Sequence, residues 1–387
     1  MTAPLTLIGS GMAALGLVRQ LRAHQPERPI TLITADSGDD YSKPMLSTGF
    51  AKRLPPERLA SRSALEVADS LGVVVRTHTR VEAIDPAARE LQLGAERLAY
   101  DELVLATGAA PTPPLDWPQT LDGRVFTIND LDDYRAFHAA LTSLGRPARV
   151  AVVGAGLVGC EYANDLLAGD HAVDLIAPEA TPLPQLLPPA LGEALGAAFS
   201  EAGMRRYPGR SVVELESGRA GVAIGLDDGA NLEADLVLVA TGLRPRTQLA
   251  EAAGLAVSAQ GILTDRYLAT SAPGIHALGD VACVDGVNAM YVQPLQAGAK
   301  ALAATLAGSP SAVAYGAWPV LVKTPLLPVV SLPPPDGVAC EWRIEGEGRD
   351  LSALAEDEDG RLMGFALTGS RVRRKVELAR IAPSLLG

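Results

Sequence analysis

Two short glycine-rich stretches carry the clearest chemistry in this chain. Gly9-Ser10-Gly11-Met12-Ala13-Ala14 follows the apolar run LTLI and opens a segment whose apolar residues recur near 3.6 positions. Gly154-Ala155-Gly156-Leu157-Val158-Gly159 follows VAVV and opens a second such segment. In this pattern the first glycine permits a tight strand-to-helix turn and the second lets backbone approach a pyrophosphate. The last small residue, Ala14 or Gly159, lets helix and strand pack closely, while the helix N-terminus faces the negative charge. One such turn is weak evidence for a dinucleotide; two, each flanked by strand and helix, are strong.

Each turn needs partners from neighbouring strands. ITLITAD ends at Asp36, where a carboxylate can accept hydrogen bonds from a ribose hydroxyl pair; the spacing is slightly long, so Thr34 shares the assignment. HAVDLIAPE ends at Glu179 in the second unit. YDELVLATG and EADLVLVATG each give an acidic residue, a wholly apolar strand suited to burial in a parallel sheet, and then Ala-Thr-Gly. Ala106-Thr107-Gly108 and Thr241-Gly242 thereby bring backbone close to a bound dinucleotide. IHALGD ends a further strand at Gly279-Asp280, the edge where ligands of open α/β sheets bind.

The bulk numbers agree with a multidomain globular protein. The 387 residues imply two or three domains, and 48% apolar with 20% charged residues exclude a disordered chain. A net charge of −12 disfavours nucleic acid or an anionic membrane as partner. No apolar run is long enough to span a bilayer, and Met1–Pro4 leads directly into a strand without a signal-like region, so a cytoplasmic location is expected. Cys160, Cys283 and Cys340 are far apart and form no C-x-x-C, which argues against a disulfide framework, a dithiol centre or a zinc site; no metal is expected.

The ordered set G-x-G-x-x-A, ATG, G-x-G-x-x-G, ATG and I-x-A-x-G-D resembles the two-dinucleotide flavoprotein reductases of the pyridine nucleotide-disulfide oxidoreductase superfamily. ITADSGDDYSKPMLSTGFAK, VGAGLVGCEYANDL and AYGAWPVLVKTPLLPVVSLPPP resemble its rubredoxin-reducing branch from alkane-oxidising bacteria. The resemblance implies an α/β fold with two Rossmann-like domains plus a small α+β C-terminal domain. Residues 1–109 and 242–310 would hold FAD, 110–241 would hold NAD, and 311–387 would form an interface domain. It also implies cofactor contacts at Ser10, Met12, Ala13, Val81, Leu157, Val158 and Val292, with the Asp280 carboxylate on the ribityl chain of FAD.

YSKPMLSTGF then becomes informative. Alone, its Lys43-Pro44 reads as a surface loop, a proline turn or a helix start. In disulfide reductases of the superfamily this segment carries the redox cysteines; here it offers Lys43, Pro44, Met45, Leu46 and Ser47. A protein thiol therefore cannot take the electrons here. The resemblance places Lys43 beside the isoalloxazine, as positive charge near N1 or a hydrogen bond near N5. It makes Glu161 the ion-pair partner of Lys43, although a helix-start carboxylate is the plain alternative. Thr48 stands where ferredoxin reductases commonly have lysine, which points to the rubredoxin branch. Lys323, a lone charge among apolar residues, either reaches the flavin region or snorkels from an edge strand.

Glu179 would hydrogen-bond a ribose 2′-hydroxyl and repel a 2′-phosphate, and no Arg or Lys follows within APEATPLPQLLPPALGEAL, so NADH is expected over NADPH. The expected reaction takes a hydride from NADH through FAD to rubredoxin, one electron at a time, in support of an alkane hydroxylase. A ferredoxin or flavorubredoxin acceptor, and a non-enzymatic FAD/NADH sensor of the apoptosis-inducing-factor type, are the alternatives. For docking an acidic rubredoxin, two basic clusters stand out: Arg371, Arg373, Arg374 and Lys375, expected on a terminal helix near the flavin, and Lys43, Lys52 and Arg53.

Overall fold

The computed structural model describes residues 4–219 and 221–387. The apolar runs form the centres of two five-stranded parallel sheets. In the first, strands run Ile275–Ala277, Glu102–Leu105, Leu5–Ile8, Ile30–Ile33 and Val74–Arg76 across the sheet. In the second the order is Val125–Phe126, Leu236–Val239, Arg149–Val153, Ala172–Ala177 and Arg205–Pro208. Leu5–Ile8 and Leu236–Val239 are buried at every position, as strands covered on both faces must be. Each sheet also carries a three-stranded antiparallel meander, over residues 83–99 and 212–234.

The helix after the first turn, Met12–His24, buries Ala14, Leu17, Val18 and Leu21, the i, i+3, i+4, i+7 stripe of an amphipathic helix. It lies along Val292–Leu306, and a Cβ on Gly16 would sit 3.6 Å from the Ala299 methyl, so small residues set the close approach. The chain leaves the first sheet through Ala109–Pro111 and returns through Leu243–Pro245, two strands paired antiparallel. Thr107 Oγ1 donates to the Arg246 carbonyl (3.2 Å) and Thr241 Oγ1 to that of Thr112 (2.7 Å). Each threonine of an Ala-Thr-Gly turn thus holds the strand crossing from the other unit.

The C-terminal part is a five-stranded antiparallel sheet ordered Val320–Val322, Val329–Leu332, Leu362–Thr368, Asp350–Glu356 and Glu341–Glu347. Val322, Val329, Ala353 and Ala366 join the core of the second dinucleotide unit. Val330, Leu354, Phe365 and Leu367 pack under the short helix Lys375–Ala379 through Leu378. Among the described residues no helix is long and apolar enough to cross a membrane, and no group of three or more His, Cys, Asp or Glu side chains could hold a metal.

Candidate dinucleotide clefts and the lysine between them

A continuous cleft of about 2390 Å³ runs from the first glycine turn to the second. Ordinary ligand pockets measure roughly 300–1,000 Å³, so this one has room for two dinucleotides. Its walls include Gly9–Ala13, Thr34, Asp36, Lys43, Pro44, Val81, Ala106–Gly108, Gly154–Val158, Glu161, Glu179, Thr241, Gly242, Asp280, Val292 and Lys323. Two expected contacts lie behind the wall instead. A Cβ on Gly159 would stand 2.0 Å from the Gly154 carbonyl oxygen, and one on Gly279 (φ +80) 2.8 Å from the Ala13 methyl. Both serve close packing.

The two turns are built alike. Gly9 has φ +112 and Gly154 φ +109; a Cβ would meet the Ala106 carbonyl oxygen at 2.3 Å in one and that of Ala240 at 2.5 Å in the other. Each glycine is therefore wedged against its own Ala-Thr-Gly strand. Gly11 and Gly156 have nothing within 4 Å of a built Cβ, which leaves open space above the turn. Each is the N-cap of its helix, neither has a side-chain cap, and neither first turn holds an acidic residue. Unpaired amides and the positive end of the helix dipole therefore face the cleft, as a pyrophosphate requires. Beside the first turn, Asp36 Oδ1 accepts from Thr34 Oγ1 (2.5 Å), Ser10 Oγ (3.2 Å) and the Gly38 amide (3.0 Å). Thr34 thus fixes Asp36. These residues fit a dinucleotide in each unit.

Lys43–Thr48 forms a 3₁₀ helix with Pro44 in its first turn. Lys43 Nζ reaches Asn129 Oδ1 at 2.7 Å, not Glu161. Asn129 is fixed by its own donation to the Ala109 carbonyl (3.0 Å) and by its amide on Asp133 Oδ2 (2.9 Å). Burial pulls the Lys43 ammonium below its ordinary range, opposed chiefly by the charge of Asp280; burial in turn pushes the Asp280 carboxyl up, opposed by Lys43.

The expected Lys43–Glu161 ion pair is replaced by a different arrangement. Glu161 Oε1 accepts the Lys323 amide (3.0 Å), and Oε2 accepts Ser47 Oγ (2.8 Å) and pairs with Lys323 Nζ. Two donors from one residue, plus a buried hydroxyl, satisfy this buried carboxylate more completely than one lysine could. It does not cap its helix. One turn further on, Asp165 accepts the amides of Phe50 (3.1 Å) and Ala51 (2.9 Å), while Asn164 Oδ1 accepts that of Leu326 (3.3 Å). Helix Leu157–Ala168 thereby binds the Lys43 segment on one side and the C-terminal sheet on the other.

Asn129, Ser47 and Arg246 line this region and were missed from sequence. Asn129-Asp130 with Asp133 signals a helix start, and Asp130 does accept the Asp133 amide at 2.9 Å. That signal locates the helix but not its distant neighbour Lys43. Cys160 lies outside the cleft wall: its thiol donates to the Ala155 carbonyl (3.2 Å) and burial pushes its pKa up, so it is an inert core residue.

Paired dinucleotide clefts meeting at a charged centre define a nicotinamide-dependent flavoprotein oxidoreductase. Residues 4–304 match the family described as Pyridine nucleotide-disulphide oxidoreductase, and the chain belongs to it. It is accordingly an oxidoreductase that uses FAD and NAD(H). Residues 312–381 match the Rubredoxin binding C-terminal domain. The chain is 43% identical over 385 residues to Rubredoxin-NAD(+) reductase of Alcanivorax borkumensis, covering 99% of both chains. It is 38% identical over 378 residues to Nitric oxide reductase FlRd-NAD(+) reductase of Aeromonas salmonicida, covering 97% of this chain and 96% of that one. Among solved structures, the covalent putidaredoxin reductase–putidaredoxin complex superposes with a TM-score of 0.88 at 25% identity, over 98% of this chain and 94% of that one.

Proposed function

We propose that this protein is an NADH:rubredoxin oxidoreductase in which residues 1–109 and 242–310 hold FAD, 110–241 bind NADH, and 311–387 help receive rubredoxin. The single cleft that joins both glycine turns at Lys43 carries the reading. Bound FAD supplies the conversion of a two-electron hydride into single-electron deliveries. The protein's own groups orient and exclude water: Lys43, held by Asn129, sets positive charge at the centre, and Pro44 stiffens its approach. No thiol lies in the Lys43–Thr48 turn, so electrons leave to an outside acceptor. Supply of an alkane hydroxylase is the use we assign to those electrons. The relative named Nitric oxide reductase FlRd-NAD(+) reductase favours one second reading, a flavorubredoxin as acceptor.

The docking face follows from placement. Arg371, Arg373, Arg374 and Lys375 sit in and just after the 3₁₀ turn Gly369–Arg374 and line no part of the cleft, and Arg374 is engaged by Glu345 and Glu377. Their expected place on a terminal helix is corrected for Arg371, Arg373 and Arg374, which precede helix Lys375–Ala379. Lys52 and Arg53 directly follow the Lys43 turn and are exposed, although Arg53 pairs with Asp170 at 2.8 Å. Lys52→Glu should slow NADH-driven rubredoxin reduction severalfold, leave ferricyanide reduction intact, and lose its effect as salt shortens a screening length of about 8 Å. Equal loss with both acceptors, or loss only on Arg371→Glu, would refute this face.

A further inference from the structure

The loop after Glu179 contains no cation, yet the fold brings one to it. Strand Ala172–Ala177 pairs in parallel with Arg205–Pro208, Ala177 opposite Pro208. Carried two places onward, that register sets Glu179 opposite Arg210. Backbone bonds hold the extension: the Gly209 amide donates to the Glu179 carbonyl (3.1 Å) and the Arg210 amide to that of Ala177 (2.9 Å). Both residues line the same end of the cleft. In the first unit the matching bonds are His78 amide to Asp36 carbonyl (3.0 Å) and Thr79 amide to Thr34 carbonyl (2.8 Å), so a neutral threonine stands there in place of Arg210.

Arg210 is also oriented. Its Nε meets Asp228 Oδ2 at 2.6 Å and its Nη1 donates to the Gly209 carbonyl at 3.0 Å. Asp228 is fixed in its turn by the Ala230 amide on Oδ1 at 3.0 Å, and that bond, with the neighbouring Arg210 charge, holds its carboxyl below the usual range. Across the strand pair from Glu179, the Arg210 guanidinium is thus already paired with one carboxylate, and Glu179 adds a second to the same wall of the cleft. That balance disfavours a 2′-phosphate, which adds nearly two negative charges. With Glu179 neutralised, the same place holds an oriented arginine, the residue suited to phosphate.

We propose that Arg210 is the concealed half of a coenzyme discriminator: the Glu179 charge keeps the site for an unphosphorylated ribose, and removing that charge lets Arg210 bind a 2′-phosphate with no new cation introduced. This rests on the second unit being the nicotinamide-dinucleotide site. The test titrates FAD-loaded protein calorimetrically with 5′-ADP and with 2′,5′-ADP. Glu179→Ser and the isosteric Glu179→Gln should each raise the ratio of 2′,5′-ADP to 5′-ADP affinity about tenfold, the scale of one charged hydrogen bond. Adding Arg210→Gln should return the ratio to the wild-type value, whereas adding Asp228→Asn should raise it further. A gain that survives Arg210→Gln, or no gain while 5′-ADP still binds, overturns the proposal. Binding of 5′-ADP that is undiminished by Gly156→Asp would instead overturn the assignment of the second unit, and the proposal with it.

Discussion

The two dinucleotide units share strand order, glycine turns and the backbone bonds at their strand ends, but they hold the carboxylates just past their second strands differently. Asp36 is half-buried, and Ser10, Thr34 and the Gly38 amide fix one of its oxygens. At the matching places the second unit has Ala155 and Ala177, and Glu179 is exposed. A carboxylate already ordered loses little entropy when it takes a ligand, which favours tight binding; an unanchored one binds more weakly and releases faster. That difference favours slower release of a dinucleotide from the first unit than from the second. The edge strands differ as well. Ile275–Ala277, late in the chain, leads to Asp280, whereas Val125–Phe126, early in its unit, leads to Asn129. From opposite sheets they bring a carboxylate and an amide towards one lysine.

Gly154→Ala against Gly9→Ala separates the units most strongly. Each Cβ would collide with a backbone carbonyl, a cost of about 3 kcal/mol. Gly154→Ala should leave the protein yellow with full flavin content but weaken NADH about a hundredfold, whereas Gly9→Ala should purify without flavin. Next, Asp36→Asn should weaken FAD some thirtyfold and Glu179→Gln weaken NADH only about threefold, read by flavin release and NADH titration. Smaller still, Ser10→Ala with Thr34→Val should speed FAD loss about tenfold, while Ala177→Thr should tighten NADH a few fold, since a neutral hydrogen bond contributes about 1 kcal/mol. The smallest effect concerns Lys43. Its pKa is lowered on folding, so below its folded value the full penalty of burying the charge applies; as pH rises from there towards the unfolded value of 10.5 the penalty disappears. Denaturation of FAD-free protein should therefore show stability rising with alkaline pH, and Lys43→Met should flatten that rise.

What the sequence made legible was local. A glycine turn between an apolar strand and an amphipathic helix needs only its own twenty residues to be recognised, and Asp36, Glu179 and Asp280 follow from strand ends. The centre of the site was not legible because its partners are distant in the chain. Lys43 meets Asn129 across 86 positions, and Glu161 meets Ser47 across 114 and Lys323 across 162. Lys43 and Glu161 both line the cleft, but their partners are decided by tertiary packing of helix Leu157–Ala168 against two other parts of the chain. Arg210 is not legible for a related reason: the loop after Glu179 holds no cation, while the fold supplies one from the adjacent strand.

The most direct test of the account is anaerobic reduction of purified rubredoxin by NADH with this protein as the only catalyst, followed by bleaching of the rubredoxin iron absorbance. An NADH:rubredoxin oxidoreductase should reduce two rubredoxins per NADH, turn over many times per bound FAD, and run far faster than with an equal concentration of ferredoxin. Flavin that NADH reduces and that then holds its electrons in the presence of excess oxidised rubredoxin would contradict it.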